Sequence, residues 1–177
     1  METSKRILLF GLSALLVAAL AGCGKKVHEE PQGGAPIIEA LVGIGPVRFG
    51  MSKDEVVRYF GSPDRTSGTD LNYVASKGLA FTVDDQLGLQ KIKCWSDRSA
   101  TKLPFAVTTF AGMTKEGIGM GATRERIVAA YGQPSKTDST GEFENLYYDN
   151  LGAKFTLLQG ALASMILEAP KERSHSM

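Results

Sequence analysis

The sequence predicts an α+β fold of two tandem repeats, each a short helix packed on a three-stranded antiparallel meander. A helix pattern that begins at Gly50 returns at Gly121. Stretches that alternate apolar and polar residues follow both copies, and turns rich in glycine and aspartate separate these stretches. Because a short helix can cover the apolar face of such a sheet, each copy makes a workable small layer.

Residues 1–22 have the layout of a secretory signal peptide. Lys5 and Arg6 precede an apolar run from Ile7 to Leu20, which is 14 residues long. A membrane-spanning helix needs about 20 residues, so the run fits the apolar region of a signal peptide and not a permanent span.

The stretch Leu20-Ala21-Gly22-Cys23 resembles the lipobox of bacterial lipoproteins. This resemblance implies cleavage after Gly22 and lipidation of Cys23, which would anchor the chain in a membrane. The alternative is an ordinary signal peptide with an incidental cysteine. Gly24 follows the cysteine, and in a host with two membranes this resembles default sorting to the periplasmic face of the outer membrane.

The mature chain is electrically balanced and ends in two loose segments. Removing Lys5, Arg6 and Glu2 from 20 basic and 19 acidic residues leaves 18 of each, so no basic footprint for nucleic acid is present. Residues 23–36 are polar and rich in turn formers, which predicts a flexible tether. Residues 170–177 are predicted to form a loose tail.

The helix pattern of Gly50–Pro63 recurs in Gly121–Pro134 at a constant offset of 71 residues. Ser52 and Thr123 are predicted N-caps, and Glu55 completes a capping box with Ser52. A Gly-x-Pro sequence ends each copy, because glycine suits the position after a helix and proline prevents its continuation. Each copy therefore predicts a helix of two to three turns.

The likeness continues through three predicted strands in each copy. Tyr73 pairs with Tyr148 at offset 75; at offset 74 the pairs are Gly78 with Gly152, Phe81 with Phe155, Val83 with Leu157 and Ile92 with Ile166. We assign residues 37–98 to repeat unit 1, 99–116 to a bridging segment and 117–169 to repeat unit 2. Outside the repeated pattern, Ile37–Phe49 is predicted to form a short strand and Leu103–Phe110 a bridging or edge strand.

The repeated pattern G-M-[ST]-x-x-[DE]-V-x-x-x-[FL]-G-x-P, followed by strands with Tyr and Phe, resembles the SmpA/OmlA (BamE) lipoproteins of outer-membrane assembly. More broadly it resembles the fold of the β-lactamase-inhibitor protein, which stacks two helix-plus-sheet units. The resemblance covers residues 43–95 and 117–168. It implies a fold and an envelope role, but no functional residue carries over, because the matching positions are caps, core residues and turns.

One glycine-rich stretch has a rival interpretation as a nucleotide-binding loop. Gly117, Gly119 and Ala122 match the G-x-G-x-x-G/A spacing that sets a pyrophosphate on a helix N-terminus, and Glu142 follows about 20 residues later. The first copy forms the same helix without these glycines, and the helix is too short for a βαβ crossover. The sequence therefore predicts no nucleotide and no other cofactor.

The pattern also predicts no catalytic residue and no metal site. Asp84-Asp85 could pair for acid chemistry or bind calcium, but a hairpin tip commonly carries aspartate for turn geometry. Cys94 lies in an alternating stretch typical of a half-buried strand, and both histidines, His28 and His175, lie in the tails. No group of residues has metal-ligand spacing.

Four aromatic residues are the candidate contacts with a partner: Tyr73, Trp95, Tyr147 and Tyr148. Tyr147 and Tyr148 are neighbours on one strand and face opposite sides, so one leaves the core unless a second layer covers it. We therefore expect a non-catalytic, lipid-anchored envelope protein that binds another protein or serves as an assembly scaffold. The alternative is a periplasmic small-ligand carrier or enzyme with its site between the repeats.

Overall fold

The computed structural model of the protein describes residues 34–100 and 106–171. Within these ranges the chain forms twelve β-strands and three α-helices. The strands are Ile37–Glu39 (β1), Gly43–Ile44 (β2), Val47–Arg48 (β3), Arg65–Ser67 (β4), Asp70–Tyr73 (β5), Leu79–Asp84 (β6), Gly88–Trp95 (β7), Met113–Thr114 (β8), Lys136–Thr140 (β9), Phe143–Tyr148 (β10), Ala153–Leu158 (β11) and Ala161–Glu168 (β12). The helices are Lys53–Phe60 (α1), Val74–Lys77 (α2) and Arg124–Tyr131 (α3).

The predicted α+β class is wrong, because the fold is mostly β. Eight strands form one antiparallel sheet in the order β4-β5-β6-β7-β12-β11-β10-β9, and the other four form a sheet in the order β3-β2-β1-β8. The described helices are only eight, four and eight residues long. Each predicted three-stranded meander is in fact four-stranded, and the two meanders join into one sheet where β7 pairs with β12.

The additional strands at the two ends of the large sheet carry no apolar alternation. The sequence of β4 is RTS and that of β9 is KTDST, and nearly all of these residues are exposed. Hydrophobic periodicity reports only strands that bury one face. Hydrophobic periodicity therefore does not detect polar edge strands. It also misses strands of only two or three residues, such as β1, β2, β3 and β8.

The junction of the two meanders is symmetric in register. Lys93 lies opposite Ile166, and on one side of that pair Cys94 lies opposite Met165. Within the meanders Ile92 lies opposite Phe81, and Met165 holds the same place opposite the second copy's Phe155. The two halves of the sheet are thus related by an approximate two-fold axis at the Lys93–Ile166 pair.

This register corrects the prediction that Ile166 is the second copy's equivalent of Ile92, because Met165 holds that position. Ile92 is fully buried on the core side, whereas Ile166 is half-buried on the other face. The hairpin between β11 and β12 is one residue shorter than that between β6 and β7, since Leu157 pairs with Leu162 but Val83 pairs with Leu89. The offset between the copies therefore falls by one after the hairpin.

The core lies on one face of the eight-stranded sheet. Its buried cluster joins sheet residues such as Phe81 and Phe155 with Val56 of α1, Ile127 of α3 and Ile38 of the small sheet. The predicted short strand at Ile37–Phe49 is three short strands, β1 to β3. In the described part of the predicted strand at 103–110, residues 106–110 form no strand.

The predicted helix starts are confirmed. The Ser52 side chain accepts from the backbone N–H of Glu55, whose carboxylate accepts in return from the backbone N–H of Ser52. Thr123 accepts from the backbone N–H of Arg126 at the start of α3. Both caps satisfy backbone donors that a helix start leaves unpaired.

The predicted signal peptide, Cys23 and nearly all of the predicted tether lie outside the described residues, as do residues 172–177 of the predicted tail. Among the residues that the structure describes, no helix is both long and apolar enough to cross a membrane.

Candidate functional site

The candidate site is the face of the eight-stranded sheet turned away from the core, which we call the open face. Alternate residues of each strand point to it, since side chains alternate along a strand. Cross-strand pairing lines these residues up in rows. The longest row crosses from β9 to β4 and contains Lys136, Tyr147, Lys154, Ile166, Lys93, Ala80, Asn72 and Arg65.

Two lysines near the centre of the open face are paired with carboxylates. The Lys93 ammonium lies 3.3 Å from Oδ1 of Asp70, which also accepts a 2.6 Å hydrogen bond from the Thr82 hydroxyl. The Lys91 ammonium lies 2.8 Å from Oε1 of Glu168. These pairs are partly solvent-exposed, so each contributes about 1 kcal/mol or less to stability, but they fix the positions of the side chains.

On the other half of the face, Tyr147 lies between two lysines. The ammonium of Lys136 is 5.3 Å from the centre of the Tyr147 ring and that of Lys154 is 6.0 Å from it. Both are within the range of cation–π attraction. Lys154 makes no ion pair with any of the described residues, so its charge is available to a ligand.

Asp138 holds the tyrosine in place from the edge strand. Its carboxylate accepts a 2.7 Å hydrogen bond from Nδ2 of Asn145 and another from the Tyr147 hydroxyl. The hydrogen bonds from Asn145 and then Tyr147 hold the pKa of Asp138 below its usual value. The same contact raises the pKa of Tyr147, because the carboxylate stabilises the protonated phenol.

The four predicted contact residues divide evenly between the two faces of the sheet. Tyr147 and Trp95 are half-buried and lie on the open face. Tyr73 and Tyr148 are buried in the core, where their hydroxyls donate to the carbonyls of Gly61 and Gly132. We therefore drop Tyr73 and Tyr148 as contact residues. The layer that covers this face of the large sheet consists of α1, α3 and the small sheet.

Sequence reasoning missed Phe143, Lys154 and Lys93 as members of the site. Phe143 is 42% exposed and belongs to the same strand as Tyr147. Residues two and four apart on a strand share a face, so the alternation of FENLYY could have revealed it. No sequence pattern indicates that the two lysines belong to the site, because only the pairing of β7 with β12 places Lys93 and Lys154 on either side of Ile166.

The open face contains a groove of about 870 Å³ at the junction of the two meanders. Its lining includes Asp70 and Lys93 from the first meander and Tyr147, Lys154 and Ile166 from the second. The groove therefore exists only because the two halves share one sheet. Its lining carries both lysines and carboxylates, together with the Tyr147 ring and aliphatic side chains such as Leu41 and Ile166.

Groups suited to covalent or metal chemistry are not gathered in this groove. Cys94 points to the core, and complete burial raises the pKa of its thiol, which disfavours a nucleophilic thiolate. Asp84 accepts from the backbone N–H groups of Gln86 and Leu87, which confirms its role in the turn, and Asp85 pairs with Lys53 at 2.7 Å. Residues 34–100 and 106–171 contain no cluster of three potential metal ligands.

The fold and the open face define a mostly β protein built on one eight-stranded antiparallel sheet. No protein-family model matches the chain, and no curated protein matches it. Among solved structures, it is similar to a DUF4309 family protein, YjgB, from Bacillus subtilis subsp. subtilis strain 168. The TM-score is 0.44 and the identity 14%, over 67% of this chain and 78% of that chain.

Proposed function

We propose that this chain is a lipid-anchored envelope protein whose open face binds another protein without catalysing a reaction. The observation that carries the proposal is the open face itself, where Tyr147, Trp95 and Phe143 lie near lysines on one continuous sheet. Aromatic residues with charged neighbours are typical anchors of protein interfaces. The lipobox at Cys23 and the resemblance to BamE-type lipoproteins support an envelope location.

The rigidity of the face supports recognition of a macromolecule. The central side chains are fixed by the Lys93–Asp70 and Lys91–Glu168 pairs, so little side-chain entropy remains to be lost when a partner binds. Lys154 supplies a positive charge beside the Tyr147 ring. We expect the partner to present an acidic group at this point, because no carboxylate of the described residues lies within ion-pair distance of Lys154.

Site-specific photo-crosslinking in cells tests the proposal. A photoreactive phenylalanine analogue at Tyr147 or Trp95 should capture one defined envelope protein. Leu87 is the matched control position, since it is apolar and 65% exposed at a hairpin tip away from the open face. The captured protein should disappear when Lys154→Glu is added, and should decrease when Cys23→Ala releases the chain from the membrane.

Two outcomes would count against the proposal. Equal capture from Leu87 and Tyr147 would show that contact is non-specific. Capture that is insensitive to Lys154→Glu would show that the open face does not carry the recognition.

A second candidate function is binding of a small ligand in the groove. The observation that favours it is the volume of about 870 Å³, which falls within the range of roughly 300–1,000 Å³ common for ligand pockets. Mass spectrometry of the protein purified under non-denaturing conditions distinguishes the two. A stoichiometric small molecule lost in Lys154→Glu would favour the ligand carrier over the protein-binding module.

A further inference from the structure

The strand β9 is the longest unpaired edge in the described part of the chain. It has five residues, whereas β4 at the opposite end of the large sheet has three, and the edges of the small sheet, β3 and β8, have two each. Its residues Lys136, Thr137, Ser139 and Thr140 are exposed. An edge strand leaves alternate backbone N–H and C=O groups unpaired, which makes it a template for another strand.

The sequence of β9 lacks most of the features that protect such edges. It contains no proline, and its charges are limited to Lys136 and Asp138, which cancel. Three of its five residues are Thr137, Ser139 and Thr140, and threonine favours extended structure. The edge is therefore open to pairing in a way that a lysine-rich or interrupted edge is not.

We infer that β9 pairs with the β9 strand of a second copy of this chain, antiparallel and centred on Thr137. In this register Thr137 lies opposite Thr137 of the second copy, and Lys136 lies opposite Asp138. The two-fold axis generates the Lys136–Asp138 pair twice. Residues directly opposite in an antiparallel pair share a face, and opposite charges or two threonines in such positions stabilise the pairing.

Charge complementarity selects this register over its neighbours. A pair centred on Asp138 would place two carboxylates directly opposite each other, which is destabilising. A pair centred on Ser139 would place Asp138 opposite Thr140 and leave Lys136 beyond the paired region. In the monomer, Lys136 and Asp138 lie on the same face with their nearest charged atoms 4.0 Å apart, so in this register each would lie on that face opposite the complementary charge of the second copy.

The pairing joins the two large sheets and keeps both open faces on the same side. Because the interface is isologous, it closes at two copies and does not propagate. Pairing of β9 with the β4 edge of another copy would be heterologous and would form open chains. The five-residue edge is short, so we expect a weak dimer that two-dimensional concentration on a membrane would favour.

A charge-swap series tests the inference by sedimentation velocity over a range of protein concentrations. The unmodified chain should form dimers as its concentration rises. Lys136→Asp and Asp138→Lys should each weaken dimerisation roughly tenfold, because each places like charges opposite one another. The double variant Lys136→Asp/Asp138→Lys should restore it, and Arg65→Asp on β4 is the matched control that should leave it unchanged.

Disulfide trapping supplies an independent measurement of the register. With Cys23→Ala, the chain's remaining cysteine is the buried Cys94. Thr137→Cys should then form a covalent dimer on mild oxidation, because opposed Cα atoms in an antiparallel pair are about 4.5–5.5 Å apart. Ser139→Cys should not, because the two added thiols would be about 14 Å apart along the strands.

Thermal unfolding of each variant confirms that it is folded before its association is compared. A chain that stays monomeric at every concentration would overturn the inference. So would a double swap that fails to restore the dimer, trapping through Ser139→Cys in preference to Thr137→Cys, or growth beyond two copies. None of these results would alter the proposed function, which depends on the open face as a binding surface and not on self-association.

Discussion

At the scale of single residues, Tyr73 and Tyr148 play the same part in the two halves. Each is buried, and each donates its hydroxyl to the carbonyl of the glycine that ends the preceding eight-residue helix, Gly61 at 2.7 Å and Gly132 at 3.0 Å. Burial raises the pKa of both hydroxyls, which keeps them protonated as donors. The tyrosines thereby tie the end of each helix to the sheet.

We expect Tyr148→Phe to lower the free energy of unfolding by about 1 kcal/mol, because it removes one partly buried hydrogen bond while keeping the ring. Urea denaturation measures the loss. Tyr147→Phe on the open face is the matched control and should change stability much less, since its hydroxyl lies at the surface. An equal loss in both variants would contradict the assigned role of Tyr148.

Aromatic packing around these tyrosines is also duplicated. Phe60, Tyr73 and Phe81 form one cluster with ring centres 4.9 to 6.1 Å apart, and the equivalent residues Tyr131, Tyr148 and Phe155 form another with centres 5.5 to 5.7 Å apart. The Tyr131 hydroxyl contacts both Thr114 and Glu116 at 2.6 Å. The second cluster thus also connects α3 to β8 and the segment that follows it.

At the scale of elements, the two eight-residue helices begin differently despite their common pattern. The helix α1 has a full capping box, in which Glu55 accepts from the Ser52 backbone N–H at 2.9 Å. In α3 the equivalent position is Arg126, so Thr123 caps without a returning carboxylate. The hydrogen bond from the Ser52 backbone is the main cause of a lowered pKa for Glu55.

Ser52→Ala should lower the free energy of unfolding by about 1 kcal/mol at neutral pH, within the range of about 0.5–2 kcal/mol seen for lost N-caps. The contribution of Glu55 has a defined pH dependence, because its folded pKa lies below the unfolded value of 4.5. Its stabilising effect is complete above the unfolded pKa and is lost as pH falls through the folded pKa.

Denaturation at several pH values checks this prediction. Glu55→Gln should remove part of the loss of stability between neutral and acidic pH, because it removes the carboxylate whose pKa the helix cap lowers. An acid dependence that is the same in the unmodified chain and in Glu55→Gln would show that the capping carboxylate is not its source.

At the scale of the whole molecule, the two meanders share one eight-stranded sheet, and the described residues share one core. Strands β7 and β12 pair over five residues, and a single buried cluster includes residues of both meanders, both eight-residue helices and the small sheet. Neither half can lose its fold without exposing the apolar surface of the other. We therefore expect the described fold to unfold as one cooperative unit.

Leu167→Ala tests this cooperativity at the junction. Leu167 is buried opposite Ile92, and replacing it should cost about 2–5 kcal/mol, as for other large-to-small core changes. The loss should appear at the same denaturant concentration by Trp95 fluorescence and by far-ultraviolet circular dichroism. Ile166→Ala, on the open face one residue away, is the control and should lower the free energy of unfolding by less. Separate transitions for the two probes would show that the two halves unfold independently.

Much of the local structure could be predicted because its causes lie within a few residues of sequence. Ser52 and Thr123 cap helices, Gly61 and Gly132 end them, and the alternation of stretches such as AKFTLL marks half-buried strands. Of the candidate site, Trp95 and Tyr147 were predicted, and the alternation of FENLYY carries a signal for Phe143 as well. The predicted lipid anchor at Cys23 stays a prediction.

The sequence by itself determined the two capped helices, the central strands and the duplication that relates them, because each depends on short-range capping, turn and alternation rules. Only the tertiary structure decided that the two meanders share one eight-stranded sheet, that polar segments such as KTDST complete its edges, and that Tyr147 lies on the open face while Tyr148 is buried. Backbone hydrogen bonds between strands that are far apart in the sequence do not produce a periodic pattern of side chains, so the sequence does not reveal them. The groove at Lys93 and Ile166 follows from that pairing alone.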